Sequence, residues 1–586
     1  MPPMDSVLVA NRGEIAVRVL RGVKESGFRA IAVYSEIDRD AAHVRCADEA
    51  WNIGPAPAAE SYLDIDSILR VASQSKARAV HPGYGFLAEN AGFARRVIEA
   101  GLVWVGPPPE AITAMGDKIS SRKVAEKAGV AGVPGTLEPL KTVDSVRAAA
   151  ARFGYPIAIK AAHGGGGKGM RIVHREDEVA PAFEAARREA DAYFKNREVY
   201  VEKYLKSPRH VEAQIIIDRH GNGVFLGERD CSLQRRHQKL IEESPSTALS
   251  EKQRKALGKA ALSVAKAAGY ENAGTVEFLL DAVGDIYFLE MNTRLQVEHT
   301  VTEMVTGIDL VREQLRVAMG EPLSFSEVNP RGHAIEFRVN AEDPASGFLP
   351  SPGQIVDYQE PGGFGIRVDS GYGAGSAISQ YYDNLVAKLT VWGRDRDEAI
   401  TRARRALREF TITGIATTIP FHLIALESPS FLTGTHHTRT VEDDMDLGAV
   451  KHPTPPQLPE EEELAERQLT VEVGGRRFVV RVWTPDTGSA PAPSGRRPTP
   501  RRRPPKLAQV SAAGANSGAV TAPMQGTIVK VHHKAGERVT TGEPLFILEA
   551  MKMENEVRSP VDGEIVDLRV QPGDRVAGGA VLAIVR

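Results

Sequence analysis

The chain is 586 residues long, room for about four domains of ~150 residues, and its net charge of −3 offers no field to attract nucleic acid. No run of ~18 apolar residues could cross a bilayer, and the opening Met-Pro-Pro-Met-Asp-Ser-Val has neither the basic end nor the apolar run of a signal peptide, so no membrane partner is expected. Two cysteines, Cys46 and Cys231, are too few for a disulfide framework and lack zinc-ligand spacing, and the expected compartment is a reducing cytoplasm.

Residues 7–10 read as a buried strand, 14–26 as an amphipathic helix and 30–34 as a second strand, a β-α-β opening typical of a parallel sheet. The glycine triplet of a dinucleotide-binding turn is missing. His81-Pro82-Gly83-Tyr84-Gly85-Phe86 predicts a tight loop before another helix, and the prolines at 107–109 close the first unit.

The second unit opens on Met115-Gly116-Asp117-Lys118. Its strand 156–160 runs into His163-Gly164-Gly165-Gly166-Gly167-Lys168-Gly169-Met170. Consecutive glycines cost chain entropy, so they are expected where backbone N–H groups must approach a ligand such as phosphate, with Lys118 and Lys160 as nearby cations. No Gly-Lys-Ser/Thr follows, so this is not a P-loop. Further on, 275–281 and 285–291 read as a hairpin around Val283-Gly284, and its register sets Glu277 opposite Glu290. Facing carboxylates repel unless a cation lies between them, which points to Mg²⁺ or Mn²⁺ with Asn292 as a further oxygen donor. The alternative, two glutamates on a solvated face, requires them to be unpaired by chance with Phe278 and Leu289 turned the other way.

Asn292-Thr293-Arg294-Leu295-Gln296-Val297-Glu298-His299 is dense in groups that hold or deprotonate a small oxyanion. The run Glu228 to Lys239 carries five basic side chains, a composition equally compatible with a solvated helix face. A third unit alternates strands at 334–339 and 385–391 with a helix over 396–410, and Arg338 lies on the first of these strands.

Beyond it, 451–466 and 486–506 read as solvated linkers rich in proline and charge. Between them 469–483 predicts a hairpin with Glu472 opposite Arg477, too small to be stable alone and so a candidate docking element. The arginines at 496–503 are interleaved with prolines, as in a charged spacer. The tether 484–519, as a flexible coil, would span roughly 30–36 Å.

The last segment contains an internal repeat. A shift of 37 residues lays Pro523 on Pro560, Gly526 on Gly563, Gly536 on Gly573, Gly542 on Gly579 and Leu545 on Leu582. Two half-sheets of short alternating strands should close into a flattened β-barrel, with Ala550-Met551-Lys552-Met553 at the joint.

These motifs together resemble the biotin carboxylase family of ATP-grasp enzymes followed by a biotin carrier domain, as in the alpha subunits of acetyl- or propionyl-CoA carboxylases. The most specific are Ala-Asn-Arg-Gly-Glu-Ile-Ala, His-Pro-Gly-Tyr-Gly-Phe, Glu-Met-Asn-Thr-Arg-Leu-Gln-Val-Glu-His and Ala-Met-Lys-Met. The resemblance implies a multidomain fold: an α/β pre-ATP-grasp domain (1–117), an ATP-grasp domain with a glycine-rich lid (118–330), a C-terminal carboxylase domain (331–446), a linker with a short hairpin (447–519) and an all-β biotinyl/lipoyl-type carrier (520–586).

It also implies roles. Lys118, Lys160, Gly165, Gly166, Gly167, Glu202, Lys203, His210, Gln234 and His237 would contact ATP, and Glu277, Glu290 and Asn292 would hold magnesium. Lys239, Arg294, Gln296 and Val297 would hold bicarbonate while Glu298 removes its proton, Arg338 would steady the biotin enolate, and Lys552 would carry biotin. The implied reaction is ATP-dependent carboxylation of carrier-bound biotin through carboxyphosphate. A separate carboxyltransferase beta subunit is expected to pass the carboxyl group to acetyl-CoA or propionyl-CoA, or alternatively to methylcrotonyl-CoA or another acyl-CoA. Biotin protein ligase and homo- and hetero-oligomers are the other expected partners. Thr300 stands where the family usually has proline, a departure that touches no assigned role. An ATP-grasp amide ligase would share the glycine run and the glutamate pair but would have no use for Lys552.

Overall fold

The computed structural model describes residues 4–136, 138–162, 170–194, 196–450, 464–473, 476–485, 518–523, 526–550 and 553–586. The glycine run with Gly165, Gly166 and Gly167, the linkers 451–463 and 486–517, and Lys552 lie outside the described residues. The chain divides into two compact units, Met1–His452 and Pro453–Arg586.

In the first unit the β-α-β opening builds a parallel sheet in the order Glu49–Gly54, Arg29–Ser35, Ser6–Val9, Ala79–His81, Val103–Trp104. The helix Gly13–Glu25 lays Ile15, Val19 and Val23 on Val7 and Val9 of this sheet. Its entry is tied to the 81–86 loop, because the Asn11 side chain donates to the carbonyls of both Pro82 and Tyr84 at 2.7 Å. Gly83 sits there at φ +64°, and a Cβ would lie 2.9 Å from Asn11 Nδ2, so only glycine fits.

A smaller antiparallel sheet, Arg171–Val173, Ile157–Ala161 and Val199–Lys203, has its own core against helices Val143–Phe153 and Val179–Phe194, with Val146, Ile159 and Phe183 at its centre. The main body is an eight-stranded sheet in the order Ile286–Asn292, Asn272–Leu280, Arg209–Ile217, Gly223–Arg235, Gln238–Ser244, His333–Asn340, Leu385–Gly393, Ile366–Ser370. This sheet is continuous across the second and third units read from the sequence. On one face Ile335, Phe337, Leu389 and Val391 form a core with helix Arg396–Glu409.

Two local expectations are corrected. The polar run Glu228 to Lys239 belongs to two buried strands joined by a turn at Arg236 and His237, both at positive φ (47° and 68°), and is not a solvated helix face. Its charges are internally paired, Arg229 with Glu212 and Asp230 with Arg209, so polarity there did not mean exposure. In the 275–292 hairpin Glu277 does face Glu290, but a bulge follows and Phe278 pairs with Phe288. Leu289 is the extra residue, and it lines the cleft described below in place of turning away.

In the second unit the hairpin runs over Leu464–Val473 and Arg476–Pro485 with Glu472 opposite Arg477, longer at both ends than expected from the sequence. The C-terminal segment forms two four-stranded sheets. One has the order Ala519–Thr521, Val581–Val585, Gly563–Leu568, Arg538–Val539, and the other Met553–Arg558, Pro544–Ala550, Gly526–Val531, Arg575–Val576. The 37-residue shift maps the strands of each sheet onto those of the other. The repeated glycines have one reason per position: Gly536 and Gly573 are at φ +91° and +99°, Gly542 and Gly579 at +85° and +79°. At Gly526 and Gly563 a Cβ would come within 2.4 and 2.5 Å of a backbone oxygen. The pairing of Ala550 with Met553 brackets Lys552.

Candidate active site

Every described residue singled out from the sequence in the first unit lines one cleft of about 760 Å³. Lys118, the first residue of helix Lys118–Lys127, and Lys160 on strand Ile157–Ala161 meet there with Lys203, Gln234 and His237. Burial lowers the Lys118 amine and the His237 imidazole. The Glu202 carboxylate is held by Lys160 at 2.5 Å and by the buried Arg122. Burial alone would raise it, yet the charges of Lys160 and Arg122 keep it below the ordinary carboxylate value. Glu202 therefore positions Lys160, and Arg122, unmarked in the sequence reading, positions Glu202.

The two facing glutamates differ sharply. Glu277 lies 2.8 Å from the His210 ring and accepts from Lys239 at 3.0 Å and from the Asn292 and Gln296 amides at 2.8 Å each. Burial opposes its ionisation, but Lys239 and His210 outweigh burial and hold it well below the usual range. Burial and then the charge of Glu277 raise the carboxyl of Glu290, with Lys118 opposing. The repulsion between facing acids is thus left unrelieved on the cleft side, and a divalent cation fits it. Two other groupings, His210–Glu212–Glu277 and Glu212–Cys231–Glu298, also bring donor atoms within 4.8 Å. Lys239 and Arg229 already neutralise those carboxylates, Glu277 included, and it is Glu290, raised by burial and by Glu277, that makes the Glu277–Glu290 pair the better seat.

At the other end of the cleft Glu298 caps helix His299–Thr306, and its carboxylate receives Lys239 at 2.6 Å and Arg338 at 2.9 Å. Against burial, Lys239, Arg338 and Arg229 hold it ionised far below the ordinary range. Arg338 also donates to Glu242 at 2.6 Å. The Gln296 amide is set by Arg229 at 2.9 Å, and the Val297 carbonyl by the buried Lys388 at 2.9 Å. Arg294 is braced by Glu89 at 3.1 Å and by Asn292 at 3.1 Å, and Glu89 also accepts from the Thr293 backbone at 2.9 Å. Glu89, Arg229 and Lys388 escaped the sequence reading because each acts across more than 60 residues, where no local pattern signals the partner.

Thr300, expected to be idle, is buried in the first turn of the helix, and its hydroxyl bonds Glu336 and lies 2.7 Å from that of Thr390. The cleft thus offers cations that suit a polyanion, a facing pair of acids that suits a dication, and an ionised carboxylate beside Lys239 and Arg338.

Comparison with known proteins agrees in chain order. Residues 3–112 match the biotin carboxylase N-terminal domain, 117–326 the ATP-binding domain of the carbamoyl-phosphate synthase L chain, 336–443 the biotin carboxylase C-terminal domain, and 518–585 the biotin-requiring enzyme family. The biotin-dependent acyl-coenzyme A carboxylase alpha3 subunit of Mycobacterium leprae is 49% identical over 94% of this chain and 93% of its own length. The chain belongs to the biotin-dependent carboxylases, as an acyl-CoA carboxylase alpha subunit. Among solved structures this alpha subunit is similar to the biotin carboxylase of Campylobacter jejuni in its complex with β-γ-ATP, with TM-score 0.73 and 46% identity over 75% of this chain and 98% of that one. It matches equally well the biotin carboxylase domain dimer of Hydrogenobacter thermophilus 2-oxoglutarate carboxylase, determined with MgADP, ADP and bicarbonate (TM-score 0.73, 46% identity, 76% and 99% covered).

Proposed function

We propose that this alpha subunit uses ATP and bicarbonate to carboxylate biotin attached to Lys552, and that a separate carboxyltransferase beta subunit passes the carboxyl group to acetyl-CoA or propionyl-CoA. The observation that carries this reading is the convergence of all the described candidate side chains of the first unit on one cleft. The repeat-built carrier with Lys552 at its joint supports the second half of it.

In this mechanism Lys118, Lys160 and His237 donate to the phosphates, with His210, Gln234, Glu202 and Lys203 completing the nucleotide site. Gly165, Gly166 and Gly167 contribute backbone donors over them. Glu277 and Glu290, with Asn292, would hold magnesium, which when bound would supply positive charge for phosphoryl transfer. Arg294, Lys239, Gln296 and the Val297 backbone seat bicarbonate, and Glu298 takes its proton. An anion beside Lys239 and Arg338 offsets the cations that depress Glu298, so its proton affinity rises when bicarbonate arrives. The bicarbonate oxygen then attacks the γ-phosphate, its bond to the β-phosphate oxygen breaks and ADP leaves, and the carboxyphosphate so formed splits to CO₂ and phosphate. A bound biotin would offer its ureido nitrogen to the CO₂, with the phosphate taking that nitrogen's proton, and Arg338 would donate to the ureido oxygen.

The test is fixation of labelled bicarbonate into acid-stable product with each candidate acyl-CoA, with and without the beta subunit. Label should reach the carrier with the alpha subunit alone and reach acyl-CoA only with its partner. Acid-stable product from this chain alone would overturn the two-subunit reading. Residues 464–485 are the proposed docking element, and deleting them should weaken beta-subunit binding while sparing carrier labelling.

A further inference from the structure

Behind Arg338 three neighbouring strands set Glu242 opposite Glu336 and Glu336 opposite Thr390. Both glutamates are fully buried. Glu242 Oε1 accepts from Arg338 Nε at 2.6 Å, and Glu336 Oε2 accepts from the Thr300 hydroxyl. The other oxygen of each, Glu242 Oε2 and Glu336 Oε1, is buried without a hydrogen-bond partner. Two ionised carboxylates facing across a ladder repel, and each orphaned oxygen forfeits its solvation. A single proton between them answers both, since the carboxyl that holds it donates to the free oxygen of the other.

The surrounding charges leave room for that proton. Lys239, on the strand of Glu242, bonds Glu212, Glu277 and Glu298. Lys388, on the strand of Thr390, is taken by Glu14 at 3.3 Å and by the Val297 carbonyl. Cys231, facing from the next strand, is kept a neutral thiol chiefly by burial. The helix carrying Thr300 brings Glu298, a third negative charge, at its cap. Among the described residues Arg338 is therefore the one cation that bonds the pair, and it must also serve Glu298.

We propose that Glu242 and Glu336 share one proton at neutral pH, and that this proton keeps the Arg338 guanidinium available to the cleft. The pair then carries one negative charge in place of two. Release of the proton to solvent puts a second anion beside the same guanidinium and draws it back into the sheet. Burial supports the assignment by pushing the Glu242 carboxyl up, against Arg338, and the Glu336 carboxyl up, against Lys388 and Arg338. Both are positioning residues acting through Arg338, and this part rests on the role proposed for Arg338 above.

Infrared spectroscopy of the full chain tests the shared proton. A buried carboxylic acid C=O band should be present at neutral pH and titrate away in the alkaline range. In the difference spectrum against the parent, either Glu336→Gln or Glu242→Gln alone should remove one such acid component and leave those of other buried acids such as Glu14 and Glu342, because an amide donates to the remaining carboxylate and removes the need for the proton. Kinetics with free biotin test the consequence. Turnover of the parent should fall through the same alkaline range at unchanged KM for ATP, and Glu336→Gln should lose that fall. Thr300→Val strips a donor from the ionised form, so the band and the alkaline fall should both move up by about half to one pH unit. A difference spectrum in which either glutamine variant loses no acid component overturns the shared proton. Should Glu336→Gln fail to fold, an unmoved titration in Thr300→Val overturns it equally. A band that titrates as expected without any alkaline fall in turnover keeps the shared proton and overturns the role given to Arg338.

Discussion

At the scale of single residues, the cleft separates groups that meet a ligand from groups that hold them in place. Glu290 belongs to the first kind: burial and Glu277 raise its carboxyl, so it costs stability that a bound cation would recover. Glu290→Gln should reduce bicarbonate-dependent ATP cleavage by about a hundredfold or more while leaving Tm equal to or above that of the parent. Preserved ATP cleavage, or a clear drop in Tm, would show that the pair is structural. Glu89 belongs to the second kind, since it braces Arg294 and the Thr293 backbone. Glu89→Gln should raise the KM for bicarbonate roughly tenfold with little change in the KM for ATP, a split that initial-rate measurements resolve. Lys552→Arg keeps charge but removes the amine proposed to carry biotin. Streptavidin capture should vanish while free-biotin-dependent ATP cleavage persists, and retained capture would place biotin elsewhere.

At the scale of elements, the second unit tests how a repeated sequence becomes a repeated backbone. Gly573 and Gly536 occupy equivalent left-handed positions. Gly573→Ala should destabilise the carrier by about 1–2 kcal/mol, and Gly536→Ala by a similar amount, read as the shift of the carrier transition in calorimetry. Unequal effects would mean the halves are alike in sequence but not in load. This part of the fold was legible because its signals are local: glycine spacing, alternation and a turn. The facing of Glu277 and Glu290 was legible for the same reason, hairpin register following from a short turn. The bulge at Leu289 was not, because nothing within the hairpin distinguishes it from a regular strand. Nor was the burial of residues 228–234, where pairing with Glu212 and Arg209 from the adjacent strand, invisible locally, turns a polar run into an interior one.

At the scale of the whole molecule, opposing titrations shape the stability of the first unit. Burial lowers His43, His81 and His422 from 6.5 to about 4, and His299 to about 3. Neutral when folded and charged when unfolded, they withdraw stability as pH falls from about 6.5 towards 4. Glu14 and Glu342, raised by burial to about 7, act oppositely and return stability as pH falls from about 7 to 4.5. Glu303, kept at about 2 by Arg18 and then Arg367 against burial, contributes stability above 4.5 that is lost below it. Denaturant unfolding of the full chain should therefore depend on pH more weakly between pH 7 and 5.5, where the two kinds of group oppose one another, than between pH 5.5 and 4, where stability should fall. A monotonic rise in stability towards acid would contradict these signs. The eight-stranded sheet adds a consequence for cleavage and recombination. Strand His333–Asn340 is interior, hydrogen-bonded on both sides, although the segment leading to it, 321–332, is largely exposed. A protease that nicks 321–332 would make two polypeptides but not two particles, because each piece would still complete the other's sheet. By the same token, swapping the following segment for that of a relative transplants the central ladder of the catalytic body and not a detachable module.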